Sequence, residues 1–532
     1  MSGTRVVSRV AGLAWKRRKM GVVGAAVAVG AIAASVAVAN PFPVLFAVFF
    51  DREGTVQTVS SDPSTLNSSN PFFDPSIGTN GQACVTCHQP SQGFTISQPF
   101  IETAFVLSGG RDPLFRPNDT ANNPHINQFR HSPADYSLIL KLAVARIGKT
   151  VPTGDAADFT VVAADEATID KFAAPETNFP LMKDPQHPGV PTLSAFRRPL
   201  VTTNMNFNSA VQSDGRHDIS NLGGVADGAV EQVIQSLLLG AGTDAAVNDS
   251  IADFMTGVYT DQTSSFLAGN LSAHGATGGV QNLLALSKSP SRPCVFDEDT
   301  PTPDLTPFVA AVATPDSCTP VVVGGEIANP PGPPTFTLFD AWANLPNNRD
   351  NAGRLSVARG QAVFNKTGCV LCHTVPNLGN NASAGAPGFK NIGTDSLATL
   401  EKVKAGGFLT PPATPTAAEA QMVQDMIDRV SQLPLYCLRL TTDHNPNPCG
   451  TDPTDTTDVV TTDPGRALVT GQIADAGLFK PPILRDLPVR APFFHAGAAP
   501  DMKHLVNYYN LRFKFGLSAS DQADLVNFLN AL

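Results

Sequence analysis

Helical periodicity is clearest in the last third of the chain. Apolar residues from Leu525 to Leu532 repeat at i, i+3, i+4 and i+7, behind a capping-box-like start at Ser518 and Asp521. Residues 354–365 and 417–433 also have the pattern of helices. These segments predict a helical C-terminal region.

Strand patterns are few, and the connections between elements are long. Residues 161–164 and 321–323 are the short strand candidates. The 43 glycines and 45 prolines indicate long loops between modest helices. We therefore predict a fold that is mainly α with extensive coil.

The first 39 residues have the pattern of an export signal. Six basic residues within the first 20 positions precede an uncharged apolar run, residues 21–39, which ends on the A-x-A cleavage site Ala37-Val38-Ala39. A retained N-terminal anchor is the alternative, because a run of 19 residues approaches the roughly 20 that span a membrane. Either way we expect an exported, periplasmic protein, which contacts a membrane only if this segment is retained.

The charge balance argues against nucleic acid as a partner. Six of the 36 basic residues lie in that leader, which leaves 30 against 46 acidic residues in the rest of the chain. Such a polyanion repels nucleic acid. Hydrophobic residues make up 42%, which is enough for a folded core.

Two identical Cys-x-x-Cys-His patterns, residues 84–88 and 369–373, carry the clearest chemistry. In this c-type haem attachment sequence, two thiols add to the porphyrin vinyl groups and the adjacent histidine reaches the iron. A zinc site would need a second histidine pair nearby, and a thioredoxin-like dithiol would need a βαβ context. The sequence therefore predicts two covalently bound haem c groups, held by Cys84, Cys87, His88, Cys369, Cys372 and His373.

The two attachment sites lie 285 residues apart, too far for one small cytochrome domain. A proline-rich stretch between them predicts two cytochrome c-like haem domains joined by a linker. The predicted order is a signal or anchor at 1–39, a tether at 40–69, haem domains at 70–290 and 338–532, and the linker at 291–337.

The other four cysteines fall into two local pairs. In an oxidising compartment they predict disulfides between Cys294 and Cys318 and between Cys437 and Cys449, with buried thiols as the alternative.

Several short motifs resemble the bacterial di-haem cytochrome c peroxidase family, which includes the enzymes that mature methylamine dehydrogenase. They lie around both attachment sites and are clearest near the C-terminus: Phe72-Phe73-Asp74-Pro75, Asp214-Gly215-Arg216, Ala358-Arg359-Gly360, Phe479-Lys480-Pro481 and Ala491-Pro492-Phe493-Phe494-His495. The segment between His88 and Arg197 is about a hundred residues longer than in the short peroxidases. The resemblance implies that the N-terminal haem reacts with peroxide and that the C-terminal haem transfers electrons.

The same resemblance suggests distal acid–base residues. Glu231-Gln232 is similar to the family's Glu-Gln pair, which points to Gln232. The family's glutamate then falls near Gly242, which has no acid, and Asp244 is the nearest acidic residue. The alternative is that Glu231 and Gln232 form the polar face of an ordinary helix.

The resemblance also suggests further ligands of metal ions. The family's sixth ligand to the second haem aligns with Tyr509, and His495 and Met502 are the alternatives. Calcium, which the family binds between its domains, is a candidate cofactor, although its asparagine ligand aligns with Arg198, a cation. The family's inter-haem tryptophan aligns with Ser213, for which Trp342 and Phe207 are candidate replacements.

These features predict an oxidoreductase: a peroxidase that reduces hydrogen peroxide with electrons from a small cytochrome c or copper protein. An oxidase that acts through ferryl iron on a protein or organic substrate is an alternative. So are a dioxygen-inserting relative and a non-enzymatic electron carrier.

Overall fold

The computed structural model describes residues 48–62, 68–122, 131–163, 192–208, 210–218, 222–224, 228–287, 321–323, 326–328, 336–369, 372–373, 389–408, 414–442 and 458–532. Its α-helices in this part of the chain are α1 Cys84–Cys87, α2 Gln98–Ser108, α3 Ser137–Leu142, α4 Ala229–Ser236, α5 Ala245–Gly257, α6 Val280–Ser287, α7 Ala352–Lys366, α8 Leu397–Lys404, α9 Ala417–Val430, α10 Ala467–Thr470, α11 Met502–Phe513 and α12 Ala519–Leu529. Its strands are β1 Val48–Phe50, β2 Gly54–Ser60, β3 Ala145–Thr150, β4 Phe159–Ala163, β5 Thr192–Arg197, β6 Ala210–Val211, β7 His217–Asp218, β8 Val258–Ser265, β9 Gly269–Asn270, β10 Val321–Val323, β11 Glu326–Ala328, β12 Tyr436–Leu440 and β13 Val459–Thr461.

Helices form the C-terminal region, as the sequence predicts. The chain reaches α12 through the predicted capping box, in which Ser518 accepts from the Asp521 backbone N–H. Helices α7 and α12 pack closely because Gly360 has no side chain: a Cβ there would lie 1.9 Å from the Asp524 carbonyl oxygen. Their contact buries Phe364 and Phe528, whose rings are 5.4 Å apart, in the main hydrophobic core.

A four-stranded antiparallel sheet, in the order β1-β2-β8-β9, lies in the N-terminal part. Val59 is paired with Tyr259, and the hydroxyls of Thr58 and Thr260 lie 3.0 Å apart across the same strands. Threonine, valine and tyrosine suit the pleated surface of a sheet. This sheet joins segments about two hundred residues apart in the chain.

The prediction of a mainly α fold is wrong. The structure is 41% helical and 15% strand, a mixed fold with several small antiparallel sheets. The candidate strands at 161–164 and 321–323 are confirmed as β4 and β10. The other strands are short and pair with partners distant in the chain, so local alternation could not reveal them.

The predicted haem domains contact each other through a strand pair and a buried ion pair, among other contacts. Strand β12 pairs with β4, and the guanidinium of Arg485 contacts the Asp261 carboxylate at 2.9 Å. Residues 43–532 form one compact unit. The predicted domain boundaries stay predictions, because the signal or anchor and nearly all of the linker lie outside the described residues.

Within the described ranges, no helix combines the length and the apolar composition needed to cross a bilayer. Cys437 is disulfide-bonded. Its predicted partner Cys449 and the predicted pair Cys294 and Cys318 lie outside the described residues.

Candidate functional site

The first Cys-x-x-Cys-His pattern is folded as one helical turn. Cys84 and Cys87 begin and end α1, and the backbone N–H of His88 donates to the Cys84 carbonyl at 3.0 Å. Residues three and four apart share one side of a helix. The turn therefore presents two thiols and an imidazole together, and the two cysteines are thiols rather than a disulfide.

The His88 ring is oriented by the backbone. Its Nδ1 lies 3.1 Å from the Phe94 carbonyl oxygen. A histidine that binds iron through Nε2 has its Nδ1–H held by such an acceptor. Burial lowers the pKa of His88 to about 4, against hydrogen bonds to the carbonyls of Phe94 and Leu200, so the ring is neutral as a ligand must be.

Phenylalanines pack around this histidine. Phe72, from the Phe-Phe-Asp-Pro motif, is fully buried, with its ring 6.4 Å from His88 and 4.9 Å from Phe254. The Asn70 side chain accepts from the Phe72 backbone N–H and fixes the turn that carries it. The thiols, the oriented imidazole and the apolar surroundings fit a covalently attached haem.

The second pattern begins directly after α7. The Thr367 hydroxyl lies 3.2 Å from the Cys369 sulfur, and the Cys369 carbonyl accepts from the N–H groups of Cys372 and His373. His373 is buried. The two intervening residues lie outside the described part, and the donors that are described fit a second attachment turn.

Tyr509 lies close to this second turn. Burial raises the pKa of its phenol, and the Cys372 and Cys369 sulfurs raise it further, which puts the ring near both. Phe494 and Phe513 flank it, with ring centroids 5.9 and 5.6 Å away. Helix α11 carries Tyr509 and starts at Asp501, whose carboxylate accepts from two backbone N–H groups.

The alternative ligands have other surroundings. Met502 is buried in the hydrophobic core of the C-terminal region. His495 stacks on Phe479 at 3.9 Å, and burial lowers its pKa to about 4 beside Asp463 and Arg197. In the described structure the His495 Nε2 is buried without a hydrogen bond. Of the three candidates, Tyr509 is the one whose pKa the Cys372 and Cys369 sulfurs raise, and the identity of the sixth ligand stays a prediction.

A buried ionic cluster connects the two predicted haem domains. The Arg197 guanidinium is 2.7 Å from the Asp214 carboxylate and 2.7 Å from that of Asp463, and Arg216 also contacts Asp214 at 2.8 Å. Burial opposes ionisation of Asp214, but Arg197, Lys149 and Arg216 outweigh it and hold its pKa well below the usual range. Arg197 therefore joins Asp214, of the Asp-Gly-Arg motif, to Asp463 in the C-terminal part of the chain.

Aromatic rings line the turn that contains Ser213. The Phe389 ring lies against Gly215, which is left-handed at φ +60° and has no room for a Cβ. The Lys480 N–H, next to Phe479, donates to the Ser213 carbonyl at 2.8 Å. Trp342 lies in the C-terminal core and Phe207 packs on Tyr259, whereas the Phe389 ring contacts Gly215 of this turn.

Glu231 and Asp244 have structural partners. The Glu231 carboxylate accepts from Asn248 at 2.8 Å and Gln235 at 2.7 Å. Asp244 is exposed and caps α5, accepting from the Val247 N–H. A Cβ at Gly242 would lie 2.5 Å from Glu231 Oε1, so the glutamate position of the resemblance has no room for a side chain.

Gln232 is different, because its side chain belongs to a polar chain. Its Oε1 accepts from Gln212 Nε2 at 2.8 Å and lies 3.3 Å from His217 Nε2. The Lys149 ammonium in turn donates to Gln212 Oε1 at 2.9 Å. Burial lowers the pKa of Lys149 to about 7, and it lowers that of His217. Two groups that titrate below their usual ranges therefore flank Gln232.

Sequence reasoning missed His217, Gln212 and Lys149. The signal for His217 was its position directly after Asp-Gly-Arg. No local sequence pattern marks Lys149. It comes close to Gln212 because β3, which carries it, pairs with β5, a strand distant in the sequence.

Arg198 occupies a ring of backbone carbonyls. Its guanidinium donates to Ala143 at 3.0 Å and to Ile96 and Arg490 at 2.7 Å. Burial, with the charges of Arg490 and Arg429, lowers the pKa of Arg198 to about 9. These oxygens already surround a cation, which weakens the case for calcium here. In the described part of the chain, no group of three acidic, histidine or cysteine side chains could hold a metal ion.

Comparisons with known proteins add no family. Scanned against known protein families, the chain matches none, and a search of curated proteins finds no match.

Proposed function

We propose that this chain is an exported di-haem c-type cytochrome that reduces hydrogen peroxide with electrons from a small cytochrome c or copper protein. The observation that carries the proposal is the His88 turn, where two thiols and a carbonyl-held imidazole stand among phenylalanines. The reaction consumes one peroxide, two electrons and two protons and releases two waters. The bound haems would supply the redox-active iron.

The protein's own residues would manage the protons. Cleaving the O–O bond requires a group that shifts a proton between the two oxygens. His217 and Gln212 hold the Gln232 oxygen, which leaves its amide N–H groups to donate to a substrate. Lys149, whose pKa burial lowers to about 7, would take up and release protons near neutral pH, while its hydrogen bond to Gln212 orients that amide toward Gln232. These hydrogen-bonded side chains would replace the distal glutamate of the resemblance, whose position here is Gly242.

Tyr509 supports a second candidate, oxidation of a protein or organic substrate. A phenolate ligand stabilises oxidised iron and lowers its potential, whereas a thioether favours the reduced state. Burial and the Cys372 and Cys369 sulfurs raise the pKa of Tyr509, so its ionisation to a phenolate would require the positive charge of a bound iron.

The test is to produce the chain with haem attachment, count its haems and mix it with peroxide and a reduced donor cytochrome. Peroxide-dependent oxidation of the donor with two haems per chain is the expected result. Spectral change that persists without donor turnover would favour the second candidate. No reaction would leave an electron carrier and overturn both.

A further inference from the structure

An apolar patch lies at one end of the four-stranded sheet. It consists of Val48, Phe50, Phe266 and Leu267, which are 49%, 69%, 67% and 49% exposed. Exposed clusters of large apolar side chains mark sites that contact a partner or a membrane. We call these four residues the sheet-end patch.

Strand register brings the four residues to the same end. Phe50 pairs with Thr55, and Thr55 pairs with Ser264 on the next strand. Phe266 follows Ser264 by two residues and therefore lies at the same end of the sheet as Phe50. The Phe266 N–H also donates to the Glu53 carbonyl at 2.6 Å, which joins the two hairpin turns. Strands are spaced about 4.8 Å apart, so the turns are near neighbours.

The patch is held rigidly. Gly353, in the first turn of α7, has no side chain, and a Cβ there would lie 2.0 Å from the Leu267 carbonyl oxygen. The Leu267 N–H donates to Ser265 Oγ at 3.1 Å. The folded protein therefore presents Phe266 and Leu267 outward instead of burying them.

The apolar sequence before β1 indicates that the partner of the patch is a membrane surface. From Gly21 to Phe50 the chain has 30 consecutive residues without a charged side chain, directly after the basic cluster 16–19. Cleavage after Ala39 would still leave the uncharged, apolar segment 40–50 attached to the patch.

We propose that the sheet-end patch inserts into the interfacial region of a lipid bilayer, with Phe50 and Phe266 as aromatic anchors. Aromatic side chains are favoured at this depth, where one part of the ring is in hydrocarbon and another near water. The partner is a membrane surface in either fate of the leader, and this inference does not depend on the peroxidase proposal.

The test uses tryptophan as a depth reporter in the full chain. Phe266→Trp and Phe50→Trp are each mixed with phosphatidylcholine vesicles that carry brominated acyl chains. The matched control is Val106→Trp, at a residue of α2 that is 77% exposed. Emission is corrected for that of the unsubstituted chain, which contains Trp15 and the fully buried Trp342.

Insertion predicts at least about twofold stronger quenching at positions 50 and 266 than at 106. Equal quenching at all three positions, or no binding to vesicles, overturns the proposal. A blue shift without vesicles that grows with protein concentration would identify a second copy of the chain as the occupant and also overturns it.

Discussion

His88 and His373 each follow a Cys-x-x-Cys turn, but the side chains near the two turns differ in polarity. Near the first, phenylalanines surround His88, and the same half of the chain contains the polar chain of Lys149, Gln212, Gln232 and His217. Near the second, the Cys372 and Cys369 sulfurs raise the pKa of Tyr509, whose ring neighbours include Phe494 and Phe513.

The difference suggests that the two copies of the Cys-x-x-Cys-His motif have different functions. Reduction of peroxide needs proton donors and an exchangeable position, whereas electron transfer is served by two fixed ligands. The same five-residue pattern can serve either role, because the role is set by side chains from elsewhere in the chain.

Loss of the first ligand should have the largest effect. His88→Ala is expected to reduce peroxide turnover to background and leave the spectrum of the second haem nearly intact, because different segments hold each. Turnover assays and absorption spectra check this. His274→Asn, at an exposed histidine, is the control. Loss of both haem signals together would refute independent sites.

Changing the polar chain should have the next largest effect. His217→Gln is expected to lower kcat by about 100-fold, in the range of lost acid–base catalysis. Burial lowers the pKa of His217, with Arg216 and Lys149 adding to the effect and Gln232 and Asp214 opposing it, so the neutral ring persists below its ordinary range. The acidic limb of the kcat–pH profile should therefore change in His217→Gln and remain in Asp244→Asn. An identical profile in both variants contradicts the role.

The second site is tested by its sixth ligand. Tyr509→Phe is expected to change the ferric spectrum of the second haem near neutral pH, because a phenolate donor is lost. Met502→Leu should leave it unchanged. A sulfur-to-iron band in the near infrared that survives Tyr509→Phe but disappears in Met502→Leu would reverse the assignment.

Communication between the sites should be improvable at Ser213. Serine cannot relay an electron hole, and the Phe389 ring lies against Gly215 in the same turn. Ser213→Trp is expected to accelerate inter-haem electron transfer several-fold in stopped-flow measurements. Ser213→Leu controls for bulk at this buried position, and equal rates in both variants would exclude a ring relay.

The smallest effect concerns the helix that carries Tyr509. Burial disfavours the charged form of His504, but hydrogen bonds to Asp501 at 2.8 Å and Asp425 at 3.3 Å raise its pKa above 6.5. The contribution to stability is thus present below that pH and lost as pH rises through the raised value. His504→Gln should lower the free energy of unfolding by about 0.5 kcal/mol at pH 6 and less at pH 8.5. Urea unfolding measures it, and a pH-independent difference would contradict the ion pair.

Helix positions could be predicted because their signals are local. Residues 354–365, 417–433 and the segment after Ser518 are helical in the structure, as Ala352–Lys366, Ala417–Val430 and Ala519–Leu529. Most strands were missed. Strand β2 pairs with β8, about two hundred residues later in the chain. The seven residues of β2 contain no sequence pattern that identifies this distant partner.

By itself, the sequence determined the two thiol–imidazole turns, because the spacing of Cys-x-x-Cys-His is the chemistry and one helical turn suffices to form it. It also marked Gln232 and Tyr509 by resemblance. Only the tertiary structure decided that Glu231 is tied to Asn248, that His217 reaches Gln232 and that Arg198 fills a ring of carbonyls. Hydrogen bonds act over about 3 Å in space, and the distance along the chain between their partners does not constrain which ones form.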